Sequence, residues 1–189
     1  MDIITKKLPE GVLIDGSFYP VYTDFKNWIR ISVLFEEGNI NEEKLLAAFS
    51  LCYRTLPETI DKAFDGMLDF YMPDKSRINK ERGSAKSRIF SFKEDSELIY
   101  AAFLSQYNID LSKASLHWYQ FMALFRALTK EHKLFEVIFI RDAKLSDIKD
   151  KEKRAYIAKM KRIYSLADNR TEEEKSESIA SSMAELFYN

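Results

Sequence analysis

The sequence is poor in the residues that build disulfide-rich, zinc-binding and turn-rich folds. Its 189 residues include one Cys, two His, five Gly and four Pro. A single Cys excludes an intramolecular disulfide framework, and with two His it leaves little for a structural zinc site. Low Gly and Pro contents disfavour all-β folds, whose many turns use these residues. The composition therefore predicts neither a structural metal nor a disulfide-stapled domain.

The chain also lacks an excess of charge of either sign and any long apolar run. Lys and Arg total 29 and Asp and Glu total 30, so the net charge is -1. This balance argues against a dedicated nucleic-acid binder. No stretch approaches the ~18 consecutive apolar residues of a membrane helix, and the first residues lack the apolar run of a signal peptide. We expect a protein without a membrane partner that stays in the cytoplasm where it is made.

The residues that are abundant favour a packed helical domain. Hydrophobic residues make up 46% of the chain and aromatic residues 14%, which is too apolar for a disordered protein. We predict an all-α fold in which residues 1–168 form one compact domain of about seven to eight helices. The turn signal Asp15-Gly16 predicts a small β-hairpin over residues 12–21. Residues 169–189 are predicted to form an acidic connector and a C-terminal amphipathic helix.

Capping residues predict where the first helices begin. Thr23 or Asp24 can cap a helix that runs to about Glu37. Asn41 can cap the next helix, and Pro57 suits the first turn of a third because its missing N–H needs no partner there. Three helix starts are thus predicted before residue 73.

The second half begins with a basic segment and continues with apolar helices. Residues 73–88 contain six basic and two acidic side chains and predict a mobile loop between two helical blocks. The stretch 116–128 is apolar nearly all round, as is typical of a buried helix. The β-branched run 134–140 is compatible with a helix or a strand, and we predict a helix because no other strand in this half could pair with it. A last helix is predicted over residues 149–166, with four residues facing inward: Tyr156, Met160, Ile163 and Tyr164.

Motifs of catalytic and phosphate-binding sites are missing. The sequence has no Gly-rich phosphate loop, no GxSxG elbow and no HExxH pair. His117 lies in the most apolar stretch, where a structural role is expected, and His132 lies in a polar turn, where solvation is expected. Cys52 lies on an apolar helical stripe and is expected to be a buried, inert thiol. We therefore expect no enzyme activity and no cofactor.

Two charged features allow either a solvated or a binding interpretation. The basic loop and the basic stretch 149–162 could bind phosphates, but the loop lacks the interleaved aromatic residues on which bases stack. The third predicted helix carries an acidic row that suits a solvated face or a docking face for a basic partner. The row consists of Glu58, Asp61, Asp65 and Asp69.

The C-terminal segment carries one narrow apolar stripe. Its four large residues are spaced as neighbours on one face of a helix. They could fold back onto the domain, or dock into a groove on a second copy or on a client protein. The candidate partner-binding residues, which also allow self-association, are Ile179, Met183, Leu186 and Phe187.

Four segments of the chain resemble one protein family. They are TDFKNWIR at 23–30, FSFKEDSELIYAAFLSQYNIDL at 90–111, SLHWYQFMALFRAL at 115–128 and KRAYIAKMKRIYSLAD at 153–168. The family comprises siphophage and prophage proteins of Gram-positive hosts, encoded just upstream of the tape-measure gene and regarded as tail-assembly proteins. Asn108 stands where the family usually has glycine, and Tyr119 where it usually has a second tryptophan. The motif residues that the resemblance assigns to the core are Trp28, Tyr107, Leu116, His117, Trp118, Phe121, Leu124 and Phe125.

The resemblance implies an assembly function without catalysis. Related proteins act beside tail-assembly chaperones, which keep the long apolar tape-measure protein soluble and help recruit tail-tube subunits. The expected partners are therefore the tape-measure protein and tail-tube subunits, in the cytoplasm of the bacterial host. Two alternatives remain open: a minor structural tail or connector component of the virion, and a nucleic-acid-binding regulator.

Overall fold

The structure is a computed structural model that describes residues 4–36, 40–72 and 88–167. These residues contain seven α-helices, one 3-10 turn and one two-stranded antiparallel sheet, which confirms the predicted mostly helical fold with a small hairpin. In chain order the elements are β1 (Gly11–Ile14), β2 (Ser17–Pro20), α1 (Phe25–Glu36), α2 (Glu42–Cys52), α3 (Ile60–Tyr71), α4 (Ser96–Tyr107), α5 (Trp118–Arg126), α6 (Lys133–Asp142), the 3-10 turn (Leu145–Asp147) and α7 (Lys151–Ile163).

The hairpin lies on α3 and is closed by the predicted turn. Asp15 and Gly16 both have positive φ, at 50° and 80°, as a two-residue hairpin turn requires. Gly66 of α3 lets the sheet approach closely. A Cβ at this position would lie 2.8 Å from the Tyr53 hydroxyl and 2.9 Å from the Ile14 side chain. A lone hairpin is marginal in water, so this contact with α3 stabilises it.

The segment between the hairpin and α1 joins the two halves of the sequence. The Trp118 amide donates to the Thr23 carbonyl over 2.7 Å, and the Phe25 amide donates to the Leu116 carbonyl over 3.0 Å. These bonds place the start of α1 beside the start of α5. One hydrophobic cluster accordingly contains residues from before and after residues 73–87.

The helix starts agree with the capping predictions in two cases and differ in one. The Asn41 side chain accepts from the Lys44 amide at 2.9 Å, and the Asp24 side chain accepts from the Lys26 amide at 2.9 Å. The third prediction is wrong, because α3 begins at Ile60 and not at Pro57. The chain is still extended at the intervening Thr59, so helical hydrogen bonding begins only there. The predicted end of α1 at residues 37–38 lies outside the described residues.

The second half contains the predicted helices, with a partly different inward face on the last one. The run 134–140 is helical as predicted and lies within α6. In α7 the buried side chain is Ile157, whereas Tyr156 and Ile163 are 55% and 59% exposed. Met160 and Tyr164, the other two residues predicted to face inward, are partly buried, so the covered face of α7 includes Ile157, Met160 and Tyr164. Residues 73–87 of the basic loop lie outside the described residues.

Candidate interaction site

The motif residues mostly build the core and so position the surfaces around it. Half of them are buried and half are partly buried, and none is a widely exposed side chain. Trp28 stacks on Phe70 with ring centroids 4.8 Å apart, and Phe121 stacks on Phe25 at 4.8 Å. The buried set is Trp28, Trp118, Phe121 and Phe125, and the partly buried set is Tyr107, Leu116, His117 and Leu124.

The indole N–H groups of both buried tryptophans donate to backbone carbonyls. We call the cluster of rings around Trp28, Trp118 and Phe121 the aromatic stack. Trp28 Nε1 donates to the Tyr22 carbonyl over 2.7 Å. Trp118 Nε1 donates to the Tyr71 carbonyl over 3.1 Å. A buried indole without an acceptor would lose the hydrogen bond that it makes to water in the unfolded chain. These two hydrogen bonds therefore fix the orientation of the indole rings within the apolar core.

His117 has the structural role expected of it, but as a helix cap. Its Nδ1 accepts from the Tyr119 amide at 3.1 Å, and Gln120 Oε1 accepts from the His117 amide at 3.0 Å, which forms a capping box on α5. Because Nδ1 is an acceptor, the proton lies on Nε2, which donates to the Pro9 carbonyl at 2.9 Å. The ring thus joins the N-terminal segment to α5.

An apolar groove lies between α1, the chain before α4, α4 itself and the loop at residues 109–112. Its volume is about 410 Å³, which is within the range of small-ligand pockets. Its apolar side chains come from a buried floor and partly covered walls. The floor residues are Phe25, Phe92 and Ile99, and the wall residues are Ile29, Tyr100 and Leu111. We call this feature the α1–α4 groove.

The outer face of the hairpin is a second exposed apolar feature. Leu13 and Phe18 lie directly opposite each other in the strand register and are 74% and 60% exposed. Side chains at opposed positions of an antiparallel pair are close neighbours. A pocket of about 520 Å³ adjoins Phe18, and its polar lining includes Lys7, Arg54 and the ring of His117. We call the Leu13 and Phe18 pair the hairpin face.

A buried carboxylate begins a polar network at the end of α1. Glu36 is 8% exposed. Its Oε2 accepts from the Ser91 hydroxyl at 2.5 Å, and its Oε1 accepts from the Phe92 amide at 2.9 Å. Burial raises the pKa of Glu36, and these two hydrogen bonds and the nearby Arg88 oppose that rise. The carboxylate thereby fixes the chain that leads into α4.

Asp95 and Arg141 form the second part of the network. Arg141 Nη1 and Nη2 donate to the two Asp95 carboxylate oxygens at 2.7 and 2.9 Å. Arg141 Nε donates to the Tyr164 carbonyl at 2.6 Å. Asp95 also accepts from the Ser91 amide at 3.0 Å. This bidentate ion pair joins α4, α6 and the end of α7.

Arg88 and Glu94 bind the last described residue of the chain. Arg88 Nη2 donates to Glu94 Oε1 at 2.9 Å and to the Ala167 carbonyl at 3.0 Å. The Ala167 amide donates to both Glu94 carboxylate oxygens at 3.2 Å. The described chain therefore ends beside the turn that precedes α4.

The other residues singled out by sequence have structural or solvated environments. Cys52 is buried, and its burial raises the pKa of the thiol, which makes the thiolate scarce. His132 is not simply solvated as expected, because it is half-buried and its Nε2 bonds to Gln106 Oε1 at 2.8 Å. The acidic row Glu58, Asp61, Asp65 and Asp69 is exposed. The four stripe residues Ile179, Met183, Leu186 and Phe187 lie outside the described residues.

Sequence reasoning missed the groove and the polar network. Within residues 4–36, 40–72 and 88–167, no three His, Cys, Asp or Glu side chains gather to hold a metal ion. No helix of the same ranges has the length and apolarity needed to cross a membrane. The network had one weak signal in the sequence, the SFKED run at 91–95. In this run the Ser91 amide donates to the Asp95 carboxylate, and the Glu94 amide donates to the Ser91 hydroxyl. The groove had none, because its residues come from segments that are far apart in sequence.

Comparison with known proteins identifies a family over most of the chain. A search of curated proteins and a search of solved structures each find no significant match. The profile of the family described as "Bacteriophage Gp15 protein" matches residues 4–166. These residues include the aromatic stack, the α1–α4 groove and the polar network. The chain therefore belongs to the bacteriophage Gp15 protein family.

Proposed function

We propose that the protein is a non-enzymatic tail-assembly chaperone that binds the tape-measure protein, tail-tube subunits or both in the host cytoplasm. The observation that carries the proposal is the family match over residues 4–166, which indicates a phage structural or assembly-related protein. The four motif segments resemble tail-assembly proteins in particular, and this resemblance supports the finer assignment.

The exposed apolar surface is compatible with a client of helical, apolar character. A tape-measure protein exposes long apolar stripes before the tail tube encloses it, and such stripes aggregate unless they are covered. The hairpin face offers Leu13 and Phe18 on a support that is held by α3. Two large side chains bury a modest area, so binding would be reversible. Reversibility suits a chaperone that has to leave as the tube polymerises.

Co-expression with the tape-measure protein tests this function. We expect the tape-measure protein to become soluble and to co-purify with this chain. Leu13→Asp with Phe18→Asp should reduce co-purification, because two charges would replace the apolar contact. Tyr156→Asp with Ile163→Asp provides a matched control, since both residues are exposed apolar side chains on α7.

Purified virions separate the assembly factor from its structural alternative. An assembly factor should be absent from mature particles or present far below the amount of the tail proteins. A stoichiometric amount in mature virions would instead identify a minor tail or connector component. A tape-measure protein that stays insoluble and unbound would contradict the chaperone assignment for that client.

A further inference from the structure

We propose that the C-terminal segment of this chain docks its apolar stripe into the α1–α4 groove of the same molecule. The stripe consists of Ile179, Met183, Leu186 and Phe187. The proposal concerns the chain's own architecture and does not depend on the identity of a client.

The exit point of the C-terminal segment lies next to the groove. Ala167 is held at both its amide and its carbonyl, by Glu94 and Arg88 respectively. Glu94 precedes the groove residue Ser96 by two positions, so their Cα atoms are at most about 7.6 Å apart. The segment therefore starts beside the turn that leads into the groove helix α4.

The length of the segment allows the stripe to reach the groove. Residues 168–178 form a polar stretch between the exit point and the stripe. Eleven residues span up to about 36 Å when extended, which exceeds the distance from Ala167 to Ser96, because Ala167 bonds directly to the side chain of Glu94, two residues before Ser96. The stretch can therefore place residue 179 at either end of the groove.

The groove and the stripe have matching chemistry. The floor of the groove is formed by the rings of Phe25 and Phe92 and the side chain of Ile99. The lining of the groove also includes polar side chains, among them Glu97 and Ser112. A helix with a single apolar face can place that face on the floor while its polar face stays in water. The polar residues between the stripe positions, such as Ser181 and Glu185, then remain solvated.

Effective concentration favours docking of the segment on its own molecule over docking on a second copy. A tethered segment reaches a nearby site on its own chain at an effective concentration of about millimolar. The groove of a second copy, present at micromolar concentration, competes poorly for the segment unless the tether is too short to reach the groove of its own chain. Since the tether here is longer than the gap, the chain's own groove is the preferred site.

Methyl NMR of the full-length protein tests the proposal. Ile and Leu methyl groups are labelled, and the resonances of Ile29, Ile99 and Leu111 report on the groove. Met183→Asp with Leu186→Asp should shift these three resonances, because charged side chains would leave the groove. Ser178→Asp with Ser181→Asp adds the same charge on the opposite face of the segment and should leave the resonances unchanged. These variants keep the folded domain intact, since all four positions lie outside residues 4–167.

The same samples distinguish the chain's own segment from other occupants. Light scattering should give a monomer, and the groove resonances should be independent of protein concentration. Unchanged chemical shifts of the groove methyl groups in the Met183 and Leu186 variant would overturn the proposal. A dimer that dissociates on those substitutions would overturn it as well, because the stripe would then dock on a second copy.

Discussion

Two buried regions hold this protein together by different physics. The aromatic stack around Trp28, Trp118 and Phe121 is apolar, and its contribution scales with the area removed from water. The polar network around Glu36, Asp95 and Arg141 is directional, and it stabilises only while each charge keeps its partners. The first region stabilises the fold through its large buried apolar area, whereas the second specifies how α1, α4, α6 and α7 meet near Ala167.

Truncating the centre of the aromatic stack should have the largest effect. Phe121 is fully buried, with the rings of Phe25 and Phe103 at 4.8 and 5.1 Å. Phe121→Ala should lower the free energy of unfolding by about 3–5 kcal/mol because it removes transfer energy and leaves a cavity. Urea denaturation measures this loss. The repacking variant Phe121→Leu should cost much less, and equal losses for both would contradict the cavity argument.

Breaking the ion pair of the polar network should cost slightly less. Arg141→Ala leaves the buried Asp95 without its bidentate partner, and removing one partner of a buried pair costs about 3–5 kcal/mol. We expect the lower end of this range, because Arg141 is 9% exposed and water can approach the vacated position. Arg162→Ala on the exposed side of α7 is the matched control and should change the free energy of unfolding by less than about 0.5 kcal/mol. A similar loss for both variants would show that the ion pair contributes nothing specific.

The buried Glu36 should make stability depend on pH. Its folded pKa is raised above 4.5 by burial, so its contribution is fully present below about pH 4.5 and is lost as the pH rises through the folded pKa. Glu36→Gln removes this pH-dependent contribution. The free energy of unfolding of the variant should therefore rise relative to that of the wild type as the pH rises. The gain is about 1.4 kcal/mol for each unit by which the pKa is raised.

Urea denaturation between about pH 4 and about pH 7 measures the difference between the two proteins. Gln can still accept from the Phe92 amide and can donate to the Ser91 hydroxyl, so the variant should fold. Glu131→Gln removes one charge at an exposed position and serves as the control. A constant difference between wild type and Glu36→Gln across this range would contradict the proton linkage.

Removing the helix cap at His117 should give the smallest effect. His117→Ala removes the N-cap of α5 and the bond to the Pro9 carbonyl, and loss of a cap typically costs about 1 kcal/mol. His117→Asn keeps a capping acceptor but not the reach to Pro9, and it should recover part of the loss. Thermal unfolding compares the three proteins. An alanine variant as stable as the wild type would show that Gln120 and water suffice at this helix start.

Local patterns predicted most elements because their physical causes lie within a few residues. Asp15-Gly16 closed the hairpin because both residues tolerate positive φ, and Asn41 capped α2 through its own side chain. The helix start predicted at Pro57 was wrong because proline is compatible with a helix start without requiring one. The inward face of α7 was predicted only in part, because the packing of this helix buries Ile157 and leaves the equally apolar Ile163 exposed.

The sequence alone determined the helical class, the hairpin and the apolar content of the core, because periodicity and turn residues act locally. It also determined membership of the bacteriophage Gp15 protein family, through the profile match over residues 4–166. The tertiary structure decided which charges are buried, since Glu36 finds Ser91 across 55 residues and Asp95 finds Arg141 across 46. It also decided where the α1–α4 groove forms and that Ala167 lies beside Glu94 and Arg88. Long-range pairing of this kind depends on the packing of whole helices, which no local pattern encodes.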